Sequence, residues 1–168
     1  MEYDSYLTRM GTDTTGRYDV TPLFADAAVF SELRADLLAE VDVDVTAVVG
    51  IDALGFVLGG ALAADLDVGF VPVRKGGKLP YAENEVVRRS FTDYSDGEKT
   101  LELLPASLAA DDHVLVVDDW IETGAQMRTA TELVEATGAS VAAITVINAH
   151  HDANTKGLFD RYDVHQLG

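Results

Sequence analysis

The run Val114-Leu115-Val116-Val117 is apolar at every position and ends on two adjacent acids, Asp118 and Asp119. A strand with no polar side is covered on both faces, which is the situation of a central strand in a parallel sheet. Parallel neighbours require crossover connections, usually helices, and the rest of the chain supplies the pieces. Short β-branched runs at 45–50, 68–73 and 141–147 alternate with stretches of helical spacing, and 164–167 reads as an edge strand. Leu23, Phe30, Leu33, Leu37, Leu38 and Val41 predict one long first helix, with Thr21 as N-cap and Pro22 at its first position. A second helix is predicted at 56–64. A third follows at 126–137, with Met127, Ala130, Leu133 and Val134 on one face and Gly138 as its stop. The alternation predicts an α/β fold: a doubly wound, mainly parallel sheet with helices on both faces, binding its ligand at the carboxyl ends of the strands. The 168 residues fit one domain, 1–168, without disulfides, and there is no cysteine to form one. Between residues 76 and 100 the pattern dissolves into glycine, proline and charge, predicting a long mobile loop with strand-like ends.

The net charge of −17 excludes the broad basic face that nucleic acid demands, so no nucleic-acid partner is expected. Such a surface suits concentrated salt, where screening offsets self-repulsion, and a halophilic source is expected. The amino terminus is polar and acidic, unlike a secretory signal, and the longest uncharged apolar stretch, 53–64, is too short to span a bilayer. A cytoplasmic protein with no membrane partner is expected. Five of the twelve basic residues, Arg74, Lys75, Lys78, Arg88 and Arg89, fall within 74–89. The cluster reads either as a solvated loop pairing with Glu83 and Glu85 or as a site for an anion.

The passage Val114 to Met127 sets the two carboxylates where a buried strand ends and Glu122-Thr123-Gly124-Ala125-Gln126 where a helix begins. Unpaired N–H groups and the positive dipole end of a helix suit a phosphate monoester, with the Thr123 hydroxyl adding a bond and Gly124 allowing close backbone approach. Carboxylates suit vicinal ribose hydroxyls as acceptors, and a Mg²⁺ bridging them to a diphosphate. The same two acids also fit a capping loop or a general divalent-metal site. His150-His151-Asp152 reads as an exposed loop rather than a metal site, because adjacent histidines on a strand point to opposite faces.

This passage resembles the signature of the type I phosphoribosyltransferase family: an apolar strand, two acids, two mostly apolar residues and a short Thr-Gly phosphate loop. Residues 18–24, 48–63, 69–80 and 91–103 are also similar to that family, above all to its adenine phosphoribosyltransferases. The resemblance implies the family's fold, with residues 1–22 as a small hood beside the base pocket. It implies transfer of phosphoribose from 5-phosphoribosyl 1-diphosphate to a purine base, with Mg²⁺, in a homodimer. Arg74 and Lys75 would meet the diphosphate together with Asp52, Ala53 and Leu54. Asp118 and Asp119 would hold the ribose and metal, and Glu122 to Gln126 the 5′-phosphate. Asp93 would manage the proton on the base, from a loop that closes over the site.

The sequence departs from the family at three places. Leu54 stands where the pyrophosphate loop carries an arginine. Ala125-Gln126 replaces the usual Gly-Thr, exchanging a hydroxyl for a larger amide that also donates. Arg17-Tyr18 replaces the aromatic-arginine pair before Asp19, leaving Tyr18 as the ring available to stack on a purine; Trp120 is either a second stacking face or packing for the hood. These departures keep two alternatives open, a transferase for hypoxanthine, guanine or xanthine and a non-catalytic regulator that binds the activated ribose or a nucleotide.

Overall fold

The computed structural model describes residues 1–12, 18–92 and 97–168. At its centre is a seven-stranded sheet. Five strands are parallel: β3 (Ala47–Ile51), β4 (Gly69–Lys75), β7 (His113–Ile121), β8 (Ser140–Ala149) and β9 (Val164–Gln166). An antiparallel hairpin, β5 (Val87–Thr92) and β6 (Glu98–Leu103), joins the edge at β4 and completes the order β5-β6-β4-β3-β7-β8-β9. The helices α1 (Tyr3–Leu7), α2 (Thr21–Ala25), α3 (Ala27–Leu38) and α4 (Leu54–Leu66) cover one face; α5 (Ala125–Glu135) and α6 (Lys156–Arg161) cover the other. A two-stranded ribbon, β1 (Gly11–Thr12) with β2 (Tyr18–Asp19), accompanies α1 at the amino terminus.

The period-two alternation of the strands divides the core into two layers. Val114 and Val116 pack with Val49, Ile144, Leu133 and Met127 under α5, while Leu115 and Val117 pack with Val48, Leu33, Leu58 and Ala143 under α3 and α4. All four residues of the Val114 run are fully buried, as a central strand requires. At roughly 1.5–3 kcal/mol for each large buried apolar side chain, the two layers hold the sheet rigid. The loops that follow β3, β4 and β7 leave from its carboxyl edge.

The structure corrects the predicted elements in three places. The single first helix is two, because Asp26 adopts an extended conformation and its carboxylate accepts from the Ala28 and Val29 N–H groups, capping α3. The expected loop at 76–100 contains β5, the start of β6 and a single helical turn at Glu83–Glu85. Helix α6 was not anticipated. It is six residues long and packs chiefly through Leu158, too short to show a period. Among the described residues no helix is long and apolar enough to cross a membrane.

Candidate active site

Strands β4, β3 and β7 end side by side, and the three loops that follow them converge. The β3–β4 register pairs Ile51 with Val73, the β3–β7 register pairs Gly50 with Val117, and the Asp52 N–H donates to the Val73 carbonyl at 3.0 Å. These pairings set Arg74 and Lys75, the Asp52-Ala53-Leu54 turn and Asp118 next to one another along the carboxyl edge. The peptide between Asp52 and Ala53 is cis. Gly55, opening α4, lies so close to β7 that a Cβ on it would stand 3.0 Å from Asp118 Oδ1.

The two acids are not equivalent. Asp118 is 3% exposed, and its carboxylate accepts from the Asp119 N–H at 3.0 Å and the Gln126 amide at 2.9 Å. Burial first, and the neighbouring Asp119 charge second, push its carboxyl well above the usual carboxylate range. Asp119 is only partly buried. The two expected ribose and metal ligands thus differ in burial: Asp119 is partly buried and Asp118 lies beneath it. The Gln126 side-chain amide is engaged by Asp118, and the expected phosphate-binding segment 122–126 also presents its backbone N–H groups and the Thr123 hydroxyl at the start of α5.

That loop forms because Gly124 takes φ +73°, a left-handed conformation that glycine adopts without strain, immediately before α5. Glu122, Thr123, Ala125 and Gln126 are partly buried around it. Arg128, one turn into α5, donates to the Thr123 carbonyl at 3.4 Å and to the Asn154 carbonyl at 2.6 Å, tying the loop to the segment before α6. This brace was invisible in the sequence, where Arg128 is one more basic residue on a helix.

On the other side of the Asp52 turn, Lys78 Nζ lies 3.4 Å from the Asp52 carboxylate, itself 8% exposed. A lysine from the predicted cationic cluster thus stands over the turn where Leu54 replaces the expected arginine. Arg74 is half-buried and donates to the Lys78 carbonyl at 3.3 Å, while its buried Nε has no partner. A cavity of about 580 Å³ opens beside Lys75, Gly76, Arg88, Lys99 and Thr100.

Tyr18, 40% exposed, stacks on Trp120 with centroids 5.3 Å apart and planes 18° apart, and Trp120 meets His150 edge-on. The two rings that the sequence offered as stacking faces are thus paired with each other, and Trp120 also packs into the layer under the amino-terminal helices. Asp93 and Arg17 lie outside the described residues. His151 and Asp152 sit in an exposed loop, as expected; Asp152 accepts from the Asn154 and Thr155 N–H groups.

Among the described residues no group of three or more histidines and acids could cage a metal ion. Mg²⁺ does not require one, since it binds through one or two carboxylates and completes its shell with water and substrate phosphates. Asp119 with Asp118 beneath it fits that pattern.

Comparison with known proteins agrees with the geometry. The phosphoribosyl transferase domain model matches residues 26–166. The adenine phosphoribosyltransferase of Nitrosococcus oceani is 39% identical over 150 residues, covering 89% of this chain and 85% of that protein. The structure of the Rhodothermus marinus adenine phosphoribosyltransferase superposes with a TM-score of 0.84 at 30% identity, covering 98% of this chain and 96% of that one. The Giardia lamblia enzyme, solved with 9-deazaadenine, gives 0.89 at 27% identity, covering 99% and 97%.

Proposed function

The chain belongs to the phosphoribosyltransferase family, and from that premise we propose that it transfers the phosphoribosyl group of 5-phosphoribosyl 1-diphosphate to adenine, in purine salvage. The observation that carries this reading is the convergence of Arg74, Lys75, Asp119 and the Thr123-Gly124 loop on one sheet edge, in a chain 39% identical to an adenine enzyme.

In this reading a ring nitrogen of the base forms the new bond to C1 of the ribose as the bond from C1 to diphosphate breaks. Positive charge develops on the ribose and negative charge on the leaving group. Arg74, Lys75, Lys78 and the N–H groups of the Asp52–Leu54 turn stabilise the diphosphate, and Asp119 accepts from the ribose hydroxyls. The N–H groups around Gly124 hold the 5′-phosphate, so catalysis is chiefly positioning and charge stabilisation. Asp119, supported by Asp118, would hold a Mg²⁺ ion that lessens the charge of the leaving diphosphate. Asp93 is carried forward as the group that manages the proton on the base, Tyr18 and Trp120 as the rings beside the base, and residues 1–22 as the hood around them. The retained cations Arg74 and Lys75 favour turnover over a purely regulatory role.

The deciding experiment is a turnover assay with the activated ribose, Mg²⁺ and a panel of purine bases in high salt. Adenine is expected to be the preferred acceptor. Binding of the activated ribose without nucleotide formation from any base would instead identify a regulator. We further infer a cytoplasmic homodimer from the family resemblance, tested by sedimentation in the same buffer; a monomer at assay concentration refutes the dimer.

A further inference from the structure

Glu102 sits next to the carboxyl end of β6, fully buried. Its neighbours Leu101 and Leu103 are core residues, so the strand's alternation turns Glu102 to the opposite face. The register there sets it directly between two arginines, Arg74 on β4 and Arg88 on β5. A carboxylate buried in this way is costly unless its oxygens are fully used. They are used, but unevenly. Arg88 Nε donates to Oε2 at 2.9 Å, and Arg88 Nη1 reaches Glu83 at 3.4 Å. The remaining donors are three consecutive backbone N–H groups: Gly77 at 3.1 Å, Lys78 at 2.7 Å and Leu79 at 2.6 Å. Burial alone would raise this carboxyl. The Leu79 N–H, the Arg88 guanidinium and the other two amides outweigh it and hold the group below the usual carboxylate range.

The three amides belong to the loop that leaves β4 after Arg74 and Lys75. Gly76 continues the pairing to Thr100 at 2.8 Å, Gly77 then turns at φ +77°, and the chain folds back over the Glu102 carboxylate. That turn carries Lys78 to Asp52 and the Lys78 carbonyl to Arg74. Arg74, meanwhile, makes no ion pair among the described residues, since the carboxylate opposite it is committed to Arg88 and the loop.

The geometry points to Glu102 as a positioning residue for the transfer reaction: it fixes the Gly77–Leu79 loop so that Lys78 covers the Asp52 turn, and it leaves the charge of Arg74 for an anionic leaving group. Glu102 itself touches no substrate. Its distinctness from a merely stabilising buried acid lies in what it holds, because the loop it fastens carries the Lys78 ammonium to Asp52 and the Lys78 carbonyl to Arg74. This inference rests on the proposed transfer chemistry only for its kinetic part.

The test is the variant Glu102→Gln, which keeps the shape and one acceptor oxygen but loses the charge and turns an N–H toward other donors. Amide hydrogen exchange on the free protein is expected to rise at least tenfold at Gly77, Lys78 and Leu79, with β7 and β8 unchanged. In steady-state kinetics the KM for 5-phosphoribosyl 1-diphosphate is expected to rise about tenfold, with the KM for adenine within twofold of wild type. If Glu102→Gln does not fold, Arg88→Met removes one donor and is expected to move both readouts the same way by a smaller factor. Amides that stay protected in the folded variant overturn the proposal, as does an equal change in both KM values. Because exchange is read without substrate, failure of the wild type to turn over would count against the transfer reading and leave the loop result standing.

Discussion

Two of the three glycines of helix α4, Gly55 and Gly60, have opposite surroundings, and alanine placed at each provides a matched test of how tightly the site loops are built. At Gly55 an added Cβ would lie 2.7 Å from the Val117 carbonyl oxygen, 3.0 Å from Asp118 Oδ1 and 3.4 Å from the Asp118 Cα. Two of those atoms are backbone of a central strand, so neither can yield by a side-chain rotation. The helix start must move instead, taking the Asp52–Leu54 turn with it. Overpacking of this sort costs about 1–3 kcal/mol, and the gain in helix propensity, at most about 1 kcal/mol, is reduced at a helix end. A net loss of about 2 kcal/mol corresponds to a Tm lower by about 4–8 °C in a domain of this length. At Gly60, in the same helix, a Cβ would meet nothing within 4 Å. Gly60→Ala should therefore raise stability by about 0.5–1 kcal/mol. Melting curves in one high-salt buffer give both values, and steady-state kinetics should show a raised KM for the activated ribose in Gly55→Ala alone. Equal Tm shifts of the same sign in the two variants would refute the claim that α4 abuts β7 at this point.

Replacing Asp118 with Asn separates stability from turnover. The folded-state carboxyl is raised, so this group's cost to stability is absent below the ordinary carboxylate range and grows as pH rises toward the raised value. The Tm advantage of Asp118→Asn should accordingly widen upward through that window, to a gain on the order of 1 kcal/mol or about 2–4 °C. Turnover should fall about 100-fold through lost positioning; a variant that is less stable at neutral pH would contradict the buried, poorly solvated carboxyl. A salt series addresses the net charge of −17. Thermal stability is expected to fall steadily as salt is removed, since screening is lost, and a Tm independent of salt would rule out the halophilic reading.

Where apolar periodicity and packing agree, the sequence was sufficient. Val114 to Val117 alternate between the two core layers, and Met127, Ala130, Leu133 and Val134 are all buried on the predicted face of α5. The hairpin β5–β6 was hidden because Arg88, Arg89, Glu98, Lys99 and Glu102 make its strands look like solvated chain. The charge is tolerated there because Glu102 is neutralised by Arg88 and backbone amides, a pairing that exists only once the strands are in register. In the candidate site, the signature marked where β7 ends and α5 begins, but adjacent positions on a strand face opposite ways. Asp118 is accordingly sealed under Gly55 while Asp119 remains at the surface, a distinction that order along the chain does not carry.

Trp120, stacked on Tyr18 beside the phosphate loop, is the chain's single tryptophan. Its emission therefore originates from one place, beside the candidate site, when excitation is set beyond the absorption of the six tyrosines. Any planar ligand that parts the two rings exchanges a phenol neighbour for a heterocycle and alters that signal, so the unlabelled protein carries its own optical gauge of occupancy.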